Sequence, residues 1–190
     1  MSKVYISSDL HLGHTNIIKY CPESRGHFET VDQMNEQIIT NINSMVSDED
    51  TLILVGDLCF TSPLKGCEYL KRINGKKILI WGNHDKKLRN STEFQSQRGL
   101  MGVIQEADYL ELTHTHGGIK HNICLMHFPI LSWHRAGHGA MHFFGHCHTP
   151  KSKNIPRGRS QDIGLDSNDM IPYDMDDLVV KMSKINPSDY

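Results

Sequence analysis

Five places in the chain set an acid, an amide or an imidazole at the end of a run of branched apolar residues. "KVYISSDLH" ends on Asp9 and His11, "TLILVGDL" on Asp57, and "KILIWGNHD" on Asn83, His84 and Asp85. "NICLMHFP" carries His127, and "MHFFGHCH" closes on His146 and His148. Asp9, His11, Asp57, Asn83, His127, His146 and His148 together offer two carboxylates, one amide oxygen and four imidazoles. That is too many donors for one ion, and enough for two ions that share a carboxylate. Two divalent ions about 3.5–4 Å apart are a known device for phosphate-ester chemistry. They clamp phosphoryl oxygens, lower the pKa of a bridging water and stabilise the charge of an in-line displacement. Oxygen and nitrogen donors without thiolate suit Mn²⁺, Fe, Zn²⁺, Co²⁺ or Ni²⁺, and Mn²⁺ is the first expectation.

The runs that must position these residues are strand length and rich in β-branched or aromatic residues, as buried strands are. Ligands of layered α/β proteins bind outside the carboxyl ends of the strands, so the five tips are expected to converge. If the chain stays extended, alternation puts Asp9 with His11 and His146 with His148 on shared sides. Between the strands, "TVDQMNEQIITNINSMV" opens with Thr30 and Gln33 in capping-box spacing and repeats apolar residues at helical intervals. "SPLKGCEYLKRIN" has Pro63 at a helix's first turn and stops at Asn74-Gly75. Strand, helix, strand in that order favours right-handed βαβ units. After Gln105 the pattern becomes a hairpin across Gly117-Gly118, then a glycine- and histidine-rich loop, a short run near Ile163 and a helix from about Asp174. The expected fold is α/β: two packed mixed β-sheets flanked by α-helices, in one domain covering residues 1–190.

The bulk numbers exclude several classes. A chain of 190 residues with 22% charged and 38% apolar residues suits one ordinary globular domain. No run approaches the length of a membrane span, and the first residues lack a signal peptide's apolar core, so the expected location is cytoplasmic. A net charge of −2 gives no indication of a dedicated nucleic-acid binder. Five cysteines form no CxxC pair and read as free thiols. The 13 histidines are the abnormal count, and nine of them lie between His114 and His148.

The ordered series D-x-H, G-D, G-N-H-D, a lone His and G-H-x-H, from residue 9 to residue 148, resembles the calcineurin-like metallophosphoesterase superfamily. Each short block arises often by chance; all five in order, each at the end of an apolar run, make a specific signal. The resemblance implies a metallophosphoesterase sandwich with Asp9, His11 and His148 on a first metal and Asn83, His127 and His146 on a second. Asp57 would bridge the two. It makes His84 a catalytic residue that assists the leaving group, a role that suits an imidazole near neutral pKa. Asp85 would orient His84, or else serve as a cap or ion-pair partner near Lys86 and Lys87.

Other residues near these blocks divide between structural and functional readings. His14 lies beside the first block and reads first as a helix-start residue. His114, His116 and His121 read as hairpin residues facing solvent rather than a zinc site. Trp133 and Arg135 lie in the loop between two ligand blocks, where Trp133 would stack on a base or pack beneath the loop, and Arg135 would hold a phosphate. Lys151, Lys153, Arg157 and Arg159 would collect an anionic substrate or stand as a solvated face.

The expected function is hydrolysis of a small phosphodiester, nucleotide-like, by a metal-activated water. The alternatives are a phosphomonoesterase acting on a phosphoprotein or a nucleotide, a metal-dependent nuclease, or a binding scaffold that lost its chemistry. Such scaffolds typically lose a ligand or the G-N-H histidine, and this chain has every one.

Overall fold

In a computed structural model, which describes residues 2–187, the apolar runs form the inner strands of two sheets. In chain order the strands are β1 (Val4–Ser7), β2 (Thr51–Val55), β3 (Lys76–Ile80), β4 (Val103–Ala107), β5 (Tyr109–His116), β6 (Ile119–Met126), β7 (Met141–Phe144), β8 (Ser160–Asp162) and β9 (Tyr173–Asp174). The helices are α1 (Ile17–Tyr20), α2 (Pro22–Arg25), α3 (Val31–Met45), α4 (Pro63–Arg72), α5 (Lys86–Arg89), α6 (Thr92–Gln97) and α7 (Met175–Ser183). The first sheet runs β4-β3-β2-β1-β9 and the second β5-β6-β7-β8. Both are mixed: β9 is antiparallel to β1 in one, and the β5–β6 hairpin joins parallel β7 and β8 in the other.

The first sheet is buried on both faces, which is why its strands read as continuous apolar runs instead of alternating ones. Tyr5, Leu52, Leu54 and Leu79 pack with Met34, Ile38 and Ile42 of α3 and with Leu70 of α4. Their neighbours Ile6, Ile53, Val55 and Ile80 turn the other way, onto Ile123, Leu125, Met141 and Phe143 of the second sheet. Met175, Leu178, Val179 and Met182 of α7 complete that second core. Thr30 caps α3 by accepting from the Gln33 N–H at 3.1 Å, as the spacing predicts.

Register brings the tips together. Ser7 pairs with Leu54, and Leu54 pairs with Leu79, so β1, β2 and β3 end flush. Leu125 pairs with Phe143, and Gly145 N–H donates to the His127 carbonyl, so β6 and β7 open at a common end as well. Among the described residues, no helix is long and apolar enough to cross a membrane. His114 and His116 do not simply face solvent: both reach one oxygen of Asp176 on α7, at 2.6 and 3.1 Å.

Candidate metal centre

The chain does not remain extended beyond the strand tips. Asp9, His11, Asp57, His146 and His148 all adopt φ between +48° and +68°, a left-handed backbone that costs a residue with a side chain roughly 1–2 kcal/mol. Alternation therefore fails as the reason that Asp9 and His11, or His146 and His148, share a side; a left-handed turn at each residue brings them in. Strain of this kind persists only where surrounding bonds fix it. Here Asp9 N–H donates to the Gly56 carbonyl and His11 N–H to the Asp57 carbonyl, both at 3.0 Å, which laces the β1 and β2 tips together. The glycines before the ligands have a steric cause. A Cβ at Gly82 would run into Asp57, and one at Gly145 into Ser8 and the Asp9 carboxylate.

The seven predicted ligands gather in two adjoining groups. Asp9, His11 and His148 present donor atoms within 4.8 Å of one another, and so do Asp57, His127 and His146. Asp57 Oδ2 is 3.5 Å from His11 Nε2 and 3.3 Å from His127 Nε2, so one carboxylate oxygen faces both groups. Asn83 Oδ1 is 3.1 Å from His127 Nε2 and from His146 Nδ1. His11 Nε2 is buried with no hydrogen-bond partner. An orphaned buried nitrogen is costly, and a cation between Asp9 and Asp57 would satisfy it. On this observation and on the donor chemistry, the residues fit a pair of divalent ions.

Bonds behind the ligands fix which nitrogen each imidazole presents. His11 Nδ1 lies 3.0 Å from His14 Nδ1, His127 Nδ1 lies 2.9 Å from the Val55 carbonyl, and His148 Nδ1 lies 2.8 Å from Asp166 Oδ2. Burial pushes His11 down to about 4 against the opposing pull of Asp57, so it stands as a neutral imidazole with a free lone pair. Burial pushes Asp9 up to about 6, partly offset by His148 and His127. Burial likewise acts to raise Asp57, but the neighbouring His11 and His127 imidazoles outweigh it and hold the group well below the carboxylate range.

His84 stands at the mouth. Its main-chain N–H donates to Asp57 Oδ1 at 3.0 Å, and its Nε2 lies 3.9 Å from Asp57 Oδ2 with the side chain 37% exposed. Asp85 does not hold His84. Its carboxylate is fully buried and accepts from the backbone N–H groups of Asp57, Leu58 and Gly82 at 2.8, 2.8 and 2.9 Å. Asp85 therefore fastens the G-N-H-D turn to the β2 tip, which is neither an orienting role on the imidazole nor an ion pair with the lysines.

Packing decides three further readings. Trp133 is buried with Cys124, Ala136 and Ala140, and its indole N–H donates to the Ala140 carbonyl at 2.9 Å, so it packs beneath the loop and offers no face to a base. Arg135 lines a groove with Glu111, Thr113 and Asn122 on the β5–β6 hairpin, a wall that includes none of the seven ligands. In the basic run after His148, Lys151 pairs with Asp169, Lys153 with Glu23, and Arg159 donates to three main-chain carbonyls.

Sequence reasoning missed Arg25 and Asp166. Arg25 is fully buried, its Nε and Nη2 donate to Asp166 at 2.8 and 2.9 Å, and it also reaches the Asp9 and Leu10 carbonyls. Ser24 adds a short bond to the same acid. Burial acts to raise Asp166, yet Arg25 and His148 hold it far below the carboxylate range. Neither residue belongs to a motif, and nothing in "PESRG" or "GLDSN" marks them. His14 was underrated: it bonds His11 and stacks on Phe60 at 4.4 Å.

The model of the calcineurin-like phosphoesterase family matches residues 2–180. An uncharacterized protein of Methanocaldococcus jannaschii is 42% identical over 88 residues, covering 45% of this chain and 48% of that protein, so the chain spans about half the length of this relative. The Gene 66 protein of Mycobacterium phage L5 is 26% identical over 187 residues, 88% of each chain. A solved structure of a protein of unknown function from Aquifex aeolicus shares the fold, with a TM-score of 0.62 and 22% identity over 90% of this chain and 95% of that one.

Proposed function

The chain belongs to the calcineurin-like phosphoesterase family, and we propose that it is a two-metal phosphoesterase whose substrate is a small, nucleotide-like phosphodiester. The observation that carries this reading is Asp57 Oδ2, which faces His11 on one side and His127 on the other at 3.5 and 3.3 Å, beside the partnerless His11 Nε2. Asp9, His11 and His148 would hold one divalent ion, Asn83, His127 and His146 the other, and Asp57 both, with Mn²⁺ the first ion to test. Bound there, the two ions supply Lewis acidity to the phosphoryl group and an activated water.

The chain's own residues supply the rest. His84, exposed at the mouth and held by its main chain to Asp57, passes a proton from its imidazole to the leaving oxygen. Asp85 keeps Asp57 and Asn83 at a fixed separation through the three N–H groups it binds. A diester carries a second substituent, and the side chains of His84, Phe60 and Phe128 beside the site all reach solvent, where such a substituent would lie.

The test strips the protein with EDTA and compares bis-p-nitrophenyl phosphate with p-nitrophenyl phosphate before and after Mn²⁺ is added. Diester turnover that returns with metal is the expected result. Monoester-only turnover would replace the diesterase reading with a phosphatase. No turnover of either, with both ions bound, would leave a binding scaffold or an enzyme with a more demanding natural substrate.

A further inference from the structure

A column of rings leads from the first ligand group to the surface. His148 and His11 lie with ring centroids 4.8 Å apart and tilted by 48°, His11 and His14 5.1 Å apart and tilted by 32°, and His14 and Phe60 are stacked 4.4 Å apart at 25°. The column ends on Phe60, which is 50% exposed and stands edge-on to His84 at 5.3 Å. The main chain beneath this half-exposed phenyl is fixed, and the ring itself rests on His14. Phe60 N–H donates to the Leu12 carbonyl at 2.8 Å, and Leu12 bridges Cys59, so the β1–β2 ladder continues beneath the ring. Tyr20, also exposed, turns its edge to His14 and flanks the column. Phe128 on the opposite rim is tilted at 59° to His146 and begins no such stack.

We propose that the rigid face of Phe60, braced by His14, is the stacking surface for a nucleobase carried by the phosphate ester, on the side of the site where His84 stands. The proposal deepens the phosphodiesterase reading and rests on it for the position of the phosphate. A flat ring laid on Phe60 extends the column by one member and covers apolar surface that water now wets, whereas an aliphatic substituent would gain the covering alone. No base-specific hydrogen bond is required, so any of the common bases would be accepted, differing in stacking strength.

The test is calorimetric titration of the Mn²⁺-loaded protein with two hydrolysis-resistant phosphonates, the methylene analogues of AMP and of methyl β-ribofuranoside 5-phosphate, in which a methoxy group stands in place of the base. The base is expected to improve affinity by about 5- to 150-fold, the range for one base on one aromatic side chain. Phe60→Ala and Phe60→Leu, the second keeping apolar bulk without the ring, should bring the two affinities within about twofold of each other, and Phe60→Trp should keep them apart. Equal affinities in the native chain overturn the proposal, as does a base preference that survives Phe60→Ala. Turnover of bis-p-nitrophenyl phosphate on the same preparations reports separately on hydrolysis. A Phe60-dependent base preference without turnover would keep the stacking surface and discard the enzyme reading.

Discussion

Asp166 and His148 face each other at 2.8 Å, and Arg25 grips the same carboxylate from behind, so a candidate metal ligand and a fully buried ion pair depend on one acid. The guanidinium also donates to the Asp9 carbonyl, which ties both ends of the first ligand group into one network.

Replacing Asp166 by Asn removes the charge that compensates Arg25 in the interior. Breaking one side of a buried pair costs about 3–5 kcal/mol, to be read from a urea melt. The His148 imidazole loses its orienting acid at the same time, and affinity for one of the two ions should fall about 10- to 100-fold. Titration of the stripped variant, at a temperature where it remains folded, checks this. Unchanged affinity would show that His148 needs no such partner.

Asp85→Asn keeps one acceptor oxygen and turns an amide group toward backbone N–H groups that need acceptors. The expected cost is about 1–3 kcal/mol of stability. Because the damage falls on the Asp57 and Gly82 backbone, rates across a series of aryl phosphodiesters should drop in equal proportion. A steeper dependence on leaving-group pKa would return Asp85 to the role of orienting His84.

His84→Ala should separate leaving groups. Loss of a positioned proton donor costs about 10²- to 10⁴-fold where the leaving group is a poor one, and little where it is nitrophenolate. Metal analysis should find both ions still bound, since His84 is not among the ligands. Equal losses on good and poor leaving groups would remove the proton-donor role.

Lys77 carries a pH dependence remote from the site. Burial at the start of β3 pushes its ammonium down to about 8 from 10.5, while Nζ bonds the Gly75 carbonyl at 3.0 Å. Between those two values the unfolded chain binds more protons than the folded one, so this group makes stability rise with pH across the window. Below it the folded state bears the full cost of a buried charge; above it the cost is gone. Lys77→Met should therefore stabilise by about 1–2 kcal/mol at pH 7, with the gain shrinking as pH climbs toward 10.5. Thermal melts of both proteins from pH 7 to pH 10 decide it.

The strands and the ligand series were legible because each carries a local signature: a branched apolar run for burial on both faces, then an acid, amide or imidazole at its end. The α3 cap, the Gly117-Gly118 hairpin and the helix after Asp174 had the same advantage. Backbone handedness at Asp9, His11, Asp57, His146 and His148 was not legible, because Asp and His adopt it only rarely, though more readily than most residues, and tertiary bonds impose it at these five. Arg25 and Asp166 were hidden for a related reason: their partnership spans 141 positions, and neither has a neighbour that hints at the other. Trp133 stayed undecided in the sequence because a large ring in a loop between ligands has two homes, and only packing chooses.

The long reach of that ion pair also sets a biosynthetic order. Asp9 is made well before Asp166, and the carbonyl it lends to Arg25 and the acid that steadies Arg25 are joined only after residue 166 follows. The short β9 strand, which seals the free edge of β1 at Tyr5 and Ile6, comes later still. A nascent chain with all of "DLHLGH" and "GNHD" exposed would thus hold loose donors and no finished cradle. A cation bound before residue 166 is in place would meet His148 without its orienting acid, so the proposed site is complete only in a chain made at least that far.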